Sequence, residues 1–351
     1  MQITVKNAHT GLPLMVNHAL DFGFKQPSRN GPTIEFDGIT VIEYTKPLER
    51  QIFCPVRDEN PFFNYLEGLW MLAGRRDVEF LKKIVGNMAT FSDDGIVFNA
   101  AYGYRMREHF GFDQLREVVK QLRENRDTRQ AVVQIWETED LYKYTKDKAC
   151  NTQIVFKIRD NKLNMTVFNR SNDLIWGALG ANKSHFSMIM EYVAEAVRVE
   201  VGRYYQVSNC MHVYTDLPAW QKLVDRYRHD VFEGPLRVED PYLDPKNSVF
   251  PLVGNIENFL REVELFCSEP TRTSFFYSTP SIPNVAQPLY HAYTQHKSGD
   301  TYGAINLLER YMADCDFKTA SIEWLKRRLE GKEVRIIGHG QDLTNPDTVT
   351  Q

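Results

Sequence analysis

A cysteine and an arginine twenty residues apart are the pair whose types and spacing first suggest catalysis. Cys150 precedes one run of alternating apolar residues and Arg170 follows a second, with Asp160-Asn161-Lys162 between the runs. That pattern is typical of a β-hairpin, whose antiparallel strands would bring Cys150 and Arg170 together. A guanidinium beside a thiol favours the thiolate, which is the nucleophilic form of cysteine. The sequence therefore predicts an activated cysteine nucleophile.

A single carboxylate within an apolar helix is the second candidate for catalysis. Asn60-Pro61 is a strong helix start, because an N-cap side chain is followed by proline at the first helical position, and Gly74 is placed to end the helix. Glu67 is flanked in that helix by apolar residues such as Trp70. It could extend to solvent at the edge of the apolar stripe. It could instead face a cleft as a partly desolvated acid that handles a proton or orients water.

Polar residues on connections and strands are candidates for binding. Arg129 lies on a turn before the buried strand predicted over residues 131–136, a position suited to an anion, although a solvated surface charge is the commoner role of arginine. His212 and Tyr214 lie on one face of a short predicted strand, where they could bind a sugar hydroxyl or be structural. Asn182 ends a loop that glycines interrupt.

The composition excludes several classes of protein. The chain has 351 residues, a net charge of −4 and a pI near 6.2, which argue against a general nucleic-acid binder. Its five cysteines are scattered without a CxxC pair, which indicates reduced thiols in the cytoplasm rather than disulfides or a zinc site. We expect no metal, because the nine histidines lack ligand-like HxxxH or HxH spacing. A membrane span and secretion are not expected either, because long apolar runs are missing.

The remaining patterns indicate an α/β protein. Residues 1–57 mix β-like runs with turn clusters, and residues 185–199 have the apolar spacing of a core helix. Residues 239–285 are rich in proline and turn residues, whereas residues 286–332 are predicted to form two or three helices before a frayed polar end.

These patterns predict two regions. We expect a catalytic domain over residues 1–240 and a helical C-terminal extension over residues 241–351, packed on that domain or appended to it. The chain is long enough to bury a sizeable core in either arrangement.

Several motifs in order between residues 60 and 216 resemble the thymidylate synthase superfamily, which includes phage deoxynucleotide hydroxymethylases. LEGLWMLAG resembles the helix with the family's catalytic glutamate, Ala101-Tyr102-Gly103 begins a Tyr-Gly-x-x-x-Arg-like segment, and Asp127-Thr128-Arg129 resembles its phosphate-binding turn. The resemblance implies catalytic roles for Cys150, Glu67 and Tyr102; substrate-binding roles for Arg129, Asn169, Arg170, Ser171, Asn182, His212 and Tyr214; and folate-binding roles for Asp173 and Gly177.

The resemblance also implies an architecture and an assembly. The family fold is α/β (α+β), a large mixed sheet with surrounding helices, and the back of the sheet would pack against a second subunit in a homodimer. Arg129 would then reach the partner's active site, Asn182 would read the edge of the pyrimidine, and His212 with Tyr214 would bind the sugar.

Departures from the family pattern shape the expected reaction. Gln130 replaces the second arginine of the phosphate turn, and we expect Arg50 to hold the phosphate instead. Asn151 replaces the histidine that follows the nucleophile in synthases, a variant that resembles the phage hydroxymethylases. The chain has no tryptophan between Trp70 and Trp136, and the tail that closes over folate in synthases is replaced by unrelated sequence. Both losses favour water over hydride in the last step.

The resemblance therefore implies a pyrimidine deoxynucleotide C5 hydroxymethyltransferase. It would use 5,10-methylenetetrahydrofolate as co-substrate and form a Cys150 adduct at C6 of the base. An amide at Asn182 can accept from N3–H of uracil and donate to O4, which favours dUMP, although dCMP stays open because an amide can be flipped. The alternatives are a thymidylate synthase, a dCMP or CMP hydroxymethylase and, more remotely, an inactive nucleotide- or RNA-binding homologue. No membrane or nucleic acid is required, and the expected compartment is the cytoplasm, that of the host if the source is viral.

Overall fold

A six-stranded mixed sheet organises the molecule, and a smaller sheet lies beside it. The computed structural model describes residues 1–229, 239–272 and 275–337. The large sheet has the order β1-β4-β9-β7-β6-β5 and the small one the order β2-β3-β10-β8. The strands are β1 Gln2–Val5, β2 Phe24–Ser28, β3 Gly31–Glu35, β4 Thr40–Tyr44, β5 Val132–Gln134, β6 Asn151–Arg159, β7 Lys162–Asn169, β8 Asn172–Asp173, β9 Glu200–Ser208 and β10 Met211–Tyr214.

Helices surround the sheets, as the predicted α/β class requires. They are α1 Ala8–Phe22, α2 Pro61–Leu72, α3 Val78–Ile84, α4 Tyr102–Tyr104, α5 Gln114–Glu124, α6 Ala181–Val197, α7 Pro218–His229, α8 Phe259–Ser268, α9 Gln287–Lys297, α10 Thr301–Tyr311 and α11 Asp316–Ile337. None of the helices in the described ranges is long and apolar enough to cross a membrane.

The hairpin of β6 and β7 has the geometry that the sequence predicts. Asp160 and Asn161 both have positive φ angles, 50° and 55°, as the residues of a tight two-residue hairpin turn must. Alternate side chains of both strands are buried, so the apolar pattern fixes the register. At the open end, the backbone N–H of Arg170 donates to the carbonyl of Cys150 at 2.9 Å. The hairpin therefore places Cys150 and Arg170 side by side.

Helices α2 and α6 cross in close contact next to that hairpin end. The Asn60 side chain caps α2 by accepting from the N–H of Phe63, and Pro61 occupies the first turn, as predicted. Gly68 allows the contact, because a Cβ there would lie 2.3 Å from the sulfur of Met188 on α6. The two helices present Glu67 and His185 to each other.

The C-terminal helices pack against α2 through aromatic pairs. The rings of Tyr65 and Phe317 lie 4.7 Å apart and those of Phe62 and Trp324 lie 5.6 Å apart. This packing fits the prediction that the C-terminal region is helical. The division into regions at residue 240 stays a prediction, and the polar end after residue 337 lies outside the described residues.

Helices α1, α4, α7 and α8 were not expected from the sequence. Helix α1 lies within residues 1–57, where only strands and turns were predicted, and α8 lies within the proline-rich stretch 239–285. Asn7 and Thr10 form a capping box that begins α1, and the buried side chains of the helix stabilise it despite the weak helix propensity of Gly11 and Pro13.

Candidate active site

Cys150 lies in the connection before β6, half-buried and next to a guanidinium. Its Sγ is 3.8 Å from Nη2 of Arg170, and Arg170 is fixed by bonds from Nε to the Ala149 carbonyl at 2.8 Å and from Nη2 to the Lys148 carbonyl at 3.2 Å. The backbone N–H of Cys150 donates to the hydroxyl of Tyr102 at 3.3 Å. The thiol is thus held in one place by both the strand end and α4.

The ionisation of Cys150 differs from the prediction. Burial raises the pKa of the Cys150 thiol, and this outweighs the opposing effect of Arg170 and, more weakly, of Arg29, while the carboxylate of Asp147 adds to the rise. The expectation that Arg170 keeps the thiol ionised is therefore wrong, although Arg170 acts in the predicted direction. The arginines reduce the cost of ionisation without making thiolate the resting form.

Glu67 faces a cavity of about 310 Å³ beside the cysteine. Its side chain is 19% exposed, and burial raises its pKa to about 8, so the carboxyl is mostly protonated at neutral pH. The same cavity is lined by Tyr102, Asp147 and Asn182 as its polar residues, together with His185. The rest of its lining is apolar and includes Trp70, Met88, Phe91 and Phe98. A small polar pocket with a hydrocarbon wall is suited to holding a few oriented waters.

The loop before α6 brings Asn182 into this cavity. Gly177 lies between Asn172 and Asn182, since a Cβ on it would be 2.3 Å from Asn172 Oδ1 and 3.2 Å from Asn182 Nδ2. Its lack of a side chain lets the two amides approach each other. Because Asn182 itself lines the cavity, the loop register assumed for it is compatible with the structure.

Asn169 is buried and hydrogen-bonded at the end of the sheet. It is 4% exposed, its amide donates to the Val207 carbonyl at 3.3 Å, and its oxygen accepts from the Nδ2 of Asn151. Asn151, which stands where synthases carry a histidine, is therefore bonded into the sheet rather than aimed at a ligand. This pair holds the strand ends beneath Cys150.

The remaining sugar and folate candidates gather on the small sheet. The rings of His212 and Tyr214 meet edge to face with centroids 5.1 Å apart, and β8 pairs Asp173 with His212. Asp173 caps the turn that follows it by accepting from the N–H of Trp176, and burial raises the pKa of its carboxyl. Ser171 lies in the short link between β7 and β8, half-buried, beside Arg170.

A second cavity of about 660 Å³ adjoins the first, since Phe91 lines both. Tyr214 and Trp176 contribute to its wall, as does Arg29 from the β2–β3 turn. The charge of Arg29 acts on Cys150, so the cysteine lies within electrostatic reach of this cavity as well.

Two predicted cations are not brought to these cavities. Arg50 is 2% exposed, its Nε donates to Ser187 Oγ at 2.7 Å, and its Nη2 donates to Glu191 at 2.5 Å. We therefore correct the expectation that Arg50 holds a phosphate, because its guanidinium is already paired inside the protein. Arg129 is exposed on the turn before β5, an edge strand, and lines neither cavity.

Three residues of the site were not recognised from the sequence: Arg29, Asp147 and His185. Arg29 belongs to a Ser-Arg-Asn-Gly-Pro turn, and a cation on a glycine turn was the available signal. His185 follows Asn182 by three residues, a helical spacing that places both on one face of α6. Asp147 gave no signal beyond its closeness to Cys150. Among the described residues, no group of three or more potential metal ligands occurs.

Comparison with known proteins identifies the family of the chain. The family model for thymidylate synthase matches residues 62–238, half of the chain, and the chain belongs to this family. It is accordingly an enzyme, a one-carbon transferase with the family's mixed-sheet fold. The predicted family, fold class and enzyme class are thereby confirmed.

Individual relatives place the chain more narrowly. It is 39% identical over 342 residues to the deoxyuridylate hydroxymethyltransferase of Pseudomonas phage M6, a match that covers 95% of this chain and 96% of the relative. It is 46% identical over 188 residues to the protein of the same name from Bacillus phage SP01, covering 50% of this chain and 49% of the relative. It is 28% identical over 215 residues to the thymidylate synthase of Symbiobacterium thermophilum, covering 56% and 71%. The likeness to the M6 protein therefore extends into the C-terminal helices.

Proposed function

We propose that this chain is a deoxyuridylate hydroxymethyltransferase, which converts dUMP into its 5-hydroxymethyl derivative. The observation that carries the proposal is the partly polar cavity around Glu67, Asp147 and His185, whose wall includes Tyr102, the hydrogen-bond partner of the Cys150 backbone. A reaction that ends with water needs such a pocket next to the base. The names of the phage relatives support the same choice.

The substrate phosphate is assigned to arginines near the cysteine. Arg170 and Ser171 would contact it from the end of β7, and Arg29 would contact it from the β2–β3 turn, in the place first given to Arg50. Arg129 would contact the phosphate from the second subunit of a homodimer, because its side chain is exposed and lines neither cavity of its own subunit. Asn182 would pair with N3–H and O4 of uracil, and His212 with Tyr214 would bind the sugar hydroxyl.

Exposed aromatic residues around the second cavity support a folate site there. Phe91, Tyr144 and Trp176 are exposed aromatic residues around the second cavity, and they suit stacking of a pterin or aminobenzoyl ring. Oδ2 of Asp173 is buried with no partner among the described residues, so it is able to accept from an N–H donor. When bound, 5,10-methylenetetrahydrofolate supplies a one-carbon unit. Gly177, the other residue predicted to bind folate, has no side chain, which keeps the loop between Asp173 and Asn182 compact.

The protein's own residues would act in a fixed sequence. Cys150 loses its proton and its sulfur adds to C6 of uracil, which makes C5 nucleophilic, and Arg170 stabilises the charge on the sulfur before addition. Tyr102 holds the backbone of Cys150 in place. After the one-carbon unit is attached to C5, loss of the C5 proton to solvent and release of tetrahydrofolate leave an exocyclic methylene on C5. Glu67 then orients the water that attacks this methylene. Expulsion of the sulfur then restores the ring and frees Cys150.

Product analysis with the purified chain tests the proposal. Incubation with dUMP and methylenetetrahydrofolate should release tritium from C5 and yield 5-hydroxymethyl-dUMP without the dihydrofolate absorbance that a synthase produces. Formation of dTMP with dihydrofolate would identify a thymidylate synthase instead. Parallel reactions with dCMP and CMP decide the base and sugar. The Cys150→Ala variant is the control, and turnover by it would exclude the covalent route.

A further inference from the structure

His185 is a buried histidine that the reaction above does not use. It lies on α6, 4% exposed, and its Nε2 is 3.4 Å from Oε2 of Glu67 on α2. Nε2 has no hydrogen-bond partner among the residues that the structure describes, so the 3.4 Å approach of Glu67 is a close contact and not a formed hydrogen bond. Both side chains line the cavity beside Cys150. A buried polar atom turned to a catalytic carboxyl is not explained by packing alone.

The other ring nitrogen fixes which form of the imidazole is present. His185 hydrogen-bonds the backbone of Asn64, a contact that acts to raise its pKa and therefore uses the ring as donor to a carbonyl. Because Nε2 is the nitrogen left without a bond, Nδ1 is the donor. Burial nevertheless lowers the pKa of His185 to about 3, so the ring is neutral and Nε2 carries a lone pair.

The Glu67 carboxyl complements that lone pair. Its pKa of about 8 keeps it protonated at neutral pH, so it has one O–H to donate, and Nε2 is the acceptor that Oε2 faces. The titratable groups around the cavity are Glu67, His185, Asp147 and Tyr102, and burial also raises the pKa of Asp147. None of them supplies a positive charge that would ionise Glu67.

We propose that His185 is a positioning residue for Glu67: its Nε2 accepts a hydrogen bond from the O–H of the Glu67 carboxyl at Oε2 and leaves Oε1 to accept a hydrogen bond from the attacking water. The inference rests on the proposed function and deepens it. Gly68 and Phe63 hold the pair, since Gly68 admits the close crossing of α2 and α6 and the Phe63 ring packs edge-on against the imidazole. Such outer partners fix the orientation of a catalytic group without touching the substrate.

The water step then balances as follows. The water oxygen bonds to the exocyclic methylene carbon, and the electron pair of that double bond moves to the C5–C4 carbonyl system. The water proton passes to Oε1 of Glu67 while the proton on Oε2 passes to Nε2 of His185. Return of the electron pair forms the C5–C6 double bond and expels the Cys150 thiolate. The proton on Nε2 then returns to Oε2 of Glu67 and the proton on Oε1 is released to solvent through the cavity, which restores the starting pair.

Two substitutions separate the bonds that His185 makes. His185→Asn places an amide near Nδ1 and keeps a donor for the Asn64 carbonyl, but it removes the acceptor for Glu67. His185→Gln extends an amide oxygen towards the place of Nε2 and restores an acceptor. If the acceptor matters, Asn impairs the water step and Gln recovers much of it. If only the packing of the helix matters, both variants behave alike.

A partition experiment measures how well water competes for the methylene, and this ratio of products does not depend on the amount of folded enzyme. With dUMP, methylenetetrahydrofolate and 2-mercaptoethanol, the methylene is captured either by water or by the added thiol. We expect His185→Asn to lower the ratio of hydroxymethyl product to thioether about 10- to 100-fold relative to wild type, and His185→Gln to restore it largely. An unchanged ratio in His185→Asn overturns the inference. If wild type yields neither product, the proposed function itself has failed.

Nitrogen-15 NMR of histidine-labelled wild type supplies a readout that needs no turnover. We expect Nδ1 of His185 to be protonated and Nε2 to be unprotonated between pH 5 and pH 7, with the signal assigned by its loss in His185→Gln. A protonated Nε2 in this range would mean that the ring donates to Glu67 rather than accepts from it, and the inference would be wrong.

Discussion

The sulfur of Cys150 and the guanidinium of Arg170 are 3.8 Å apart, yet the pKa of the thiol is raised rather than lowered. Burial is the largest influence on the thiol, and one neighbouring cation does not cancel it. In the proposed role of Cys150 as nucleophile, a thiol that ionises only as it reacts is protected from oxidation between turnovers, because the thiolate is the form that oxidants attack. Arg170 still reduces the free-energy cost of ionising the thiol.

Alkylation of Cys150 should respond to the two charges beside it. Arg170→Gln removes the cation at similar size, which raises the thiol pKa further, and we expect iodoacetamide to label Cys150 about tenfold more slowly at pH 8. Asp147→Asn removes an opposing charge and should accelerate labelling. Peptide mass spectrometry follows Cys150 itself, with Cys54 in the same sample as the internal reference. Equal labelling rates in all three proteins would show that the charges do not act on the sulfur.

Glu67 should make the stability of the fold depend on pH. Burial raises its pKa in the folded protein to about 8, above its ordinary value of 4.5. Between these values the unfolded chain is ionised while the folded protein stays protonated, so this contribution to stability is complete below pH 4.5 and is lost as pH rises through about 8.

Glu67→Gln removes that titration. We therefore expect the variant to gain free energy of unfolding over wild type as pH increases from 5 to 8, by on the order of a few kcal/mol. Urea unfolding at each pH measures the difference. The matched control is Glu79→Gln, since Glu79 is on α3 with a side chain that is 81% exposed. A difference that is constant with pH would mean that Glu67 is ionised in the folded protein.

Local signals in the sequence account for the elements that were predicted correctly. The Asn60-Pro61 start of α2 and the Asp160-Asn161 turn of the hairpin are set by residues next to each other, so each can be read without the rest of the fold. Helix α1 escaped prediction because its start depends on a capping box and its interior contains Pro13. Its stability comes from buried residues whose partners are distant in sequence.

The site was predictable as a set of residue types but not as an arrangement. Arg29 and Arg50 look alike in the sequence, and only the packing shows that one borders a cavity while the other is bonded to Glu191. The raised pKa of Cys150 could not be inferred from a neighbouring arginine, because desolvation depends on the whole surrounding structure. His185 was visible only as a residue of a core helix.

Substitution of Arg50 should lower stability, whereas substitution of Arg29 should weaken binding of the substrate. Arg50 forms a buried ion pair with Glu191, which also accepts from the N–H of Leu252 at 2.7 Å, so Arg50→Ala leaves a buried charge without its partner. We expect it to lower the free energy of unfolding by about 3–5 kcal/mol with KM for dUMP unchanged in the folded fraction. Arg29→Ala, at an exposed turn, should raise KM and leave stability almost unaffected. The reverse pattern would return the phosphate role to Arg50.

The base preference should follow the hydrogen-bonding groups of Asn182. Its amide can accept from N3–H of uracil and donate to O4, whereas a carboxylate suits the donor at C4 of cytosine. We expect Asn182→Asp to lower kcat/KM for dUMP and raise it for dCMP, with their ratio changed at least tenfold. Competition between the two labelled nucleotides measures this ratio directly. A variant that loses both activities equally would place Asn182 outside the base contact.

Gly177 should be needed for the position of Asn182. An alanine Cβ would lie 2.3 Å from Asn172 Oδ1, and Asn172 is held by donation to Gln206 at 2.7 Å, so the loop must shift and carry Asn182 with it. We expect Gly177→Ala to lower kcat/KM for dUMP by more than tenfold and stability by about 1–3 kcal/mol. Gly86→Ala is the control, because no atom lies within 4 Å of its added Cβ. Full activity in Gly177→Ala would show that the approach of the two amides is not required for binding the base.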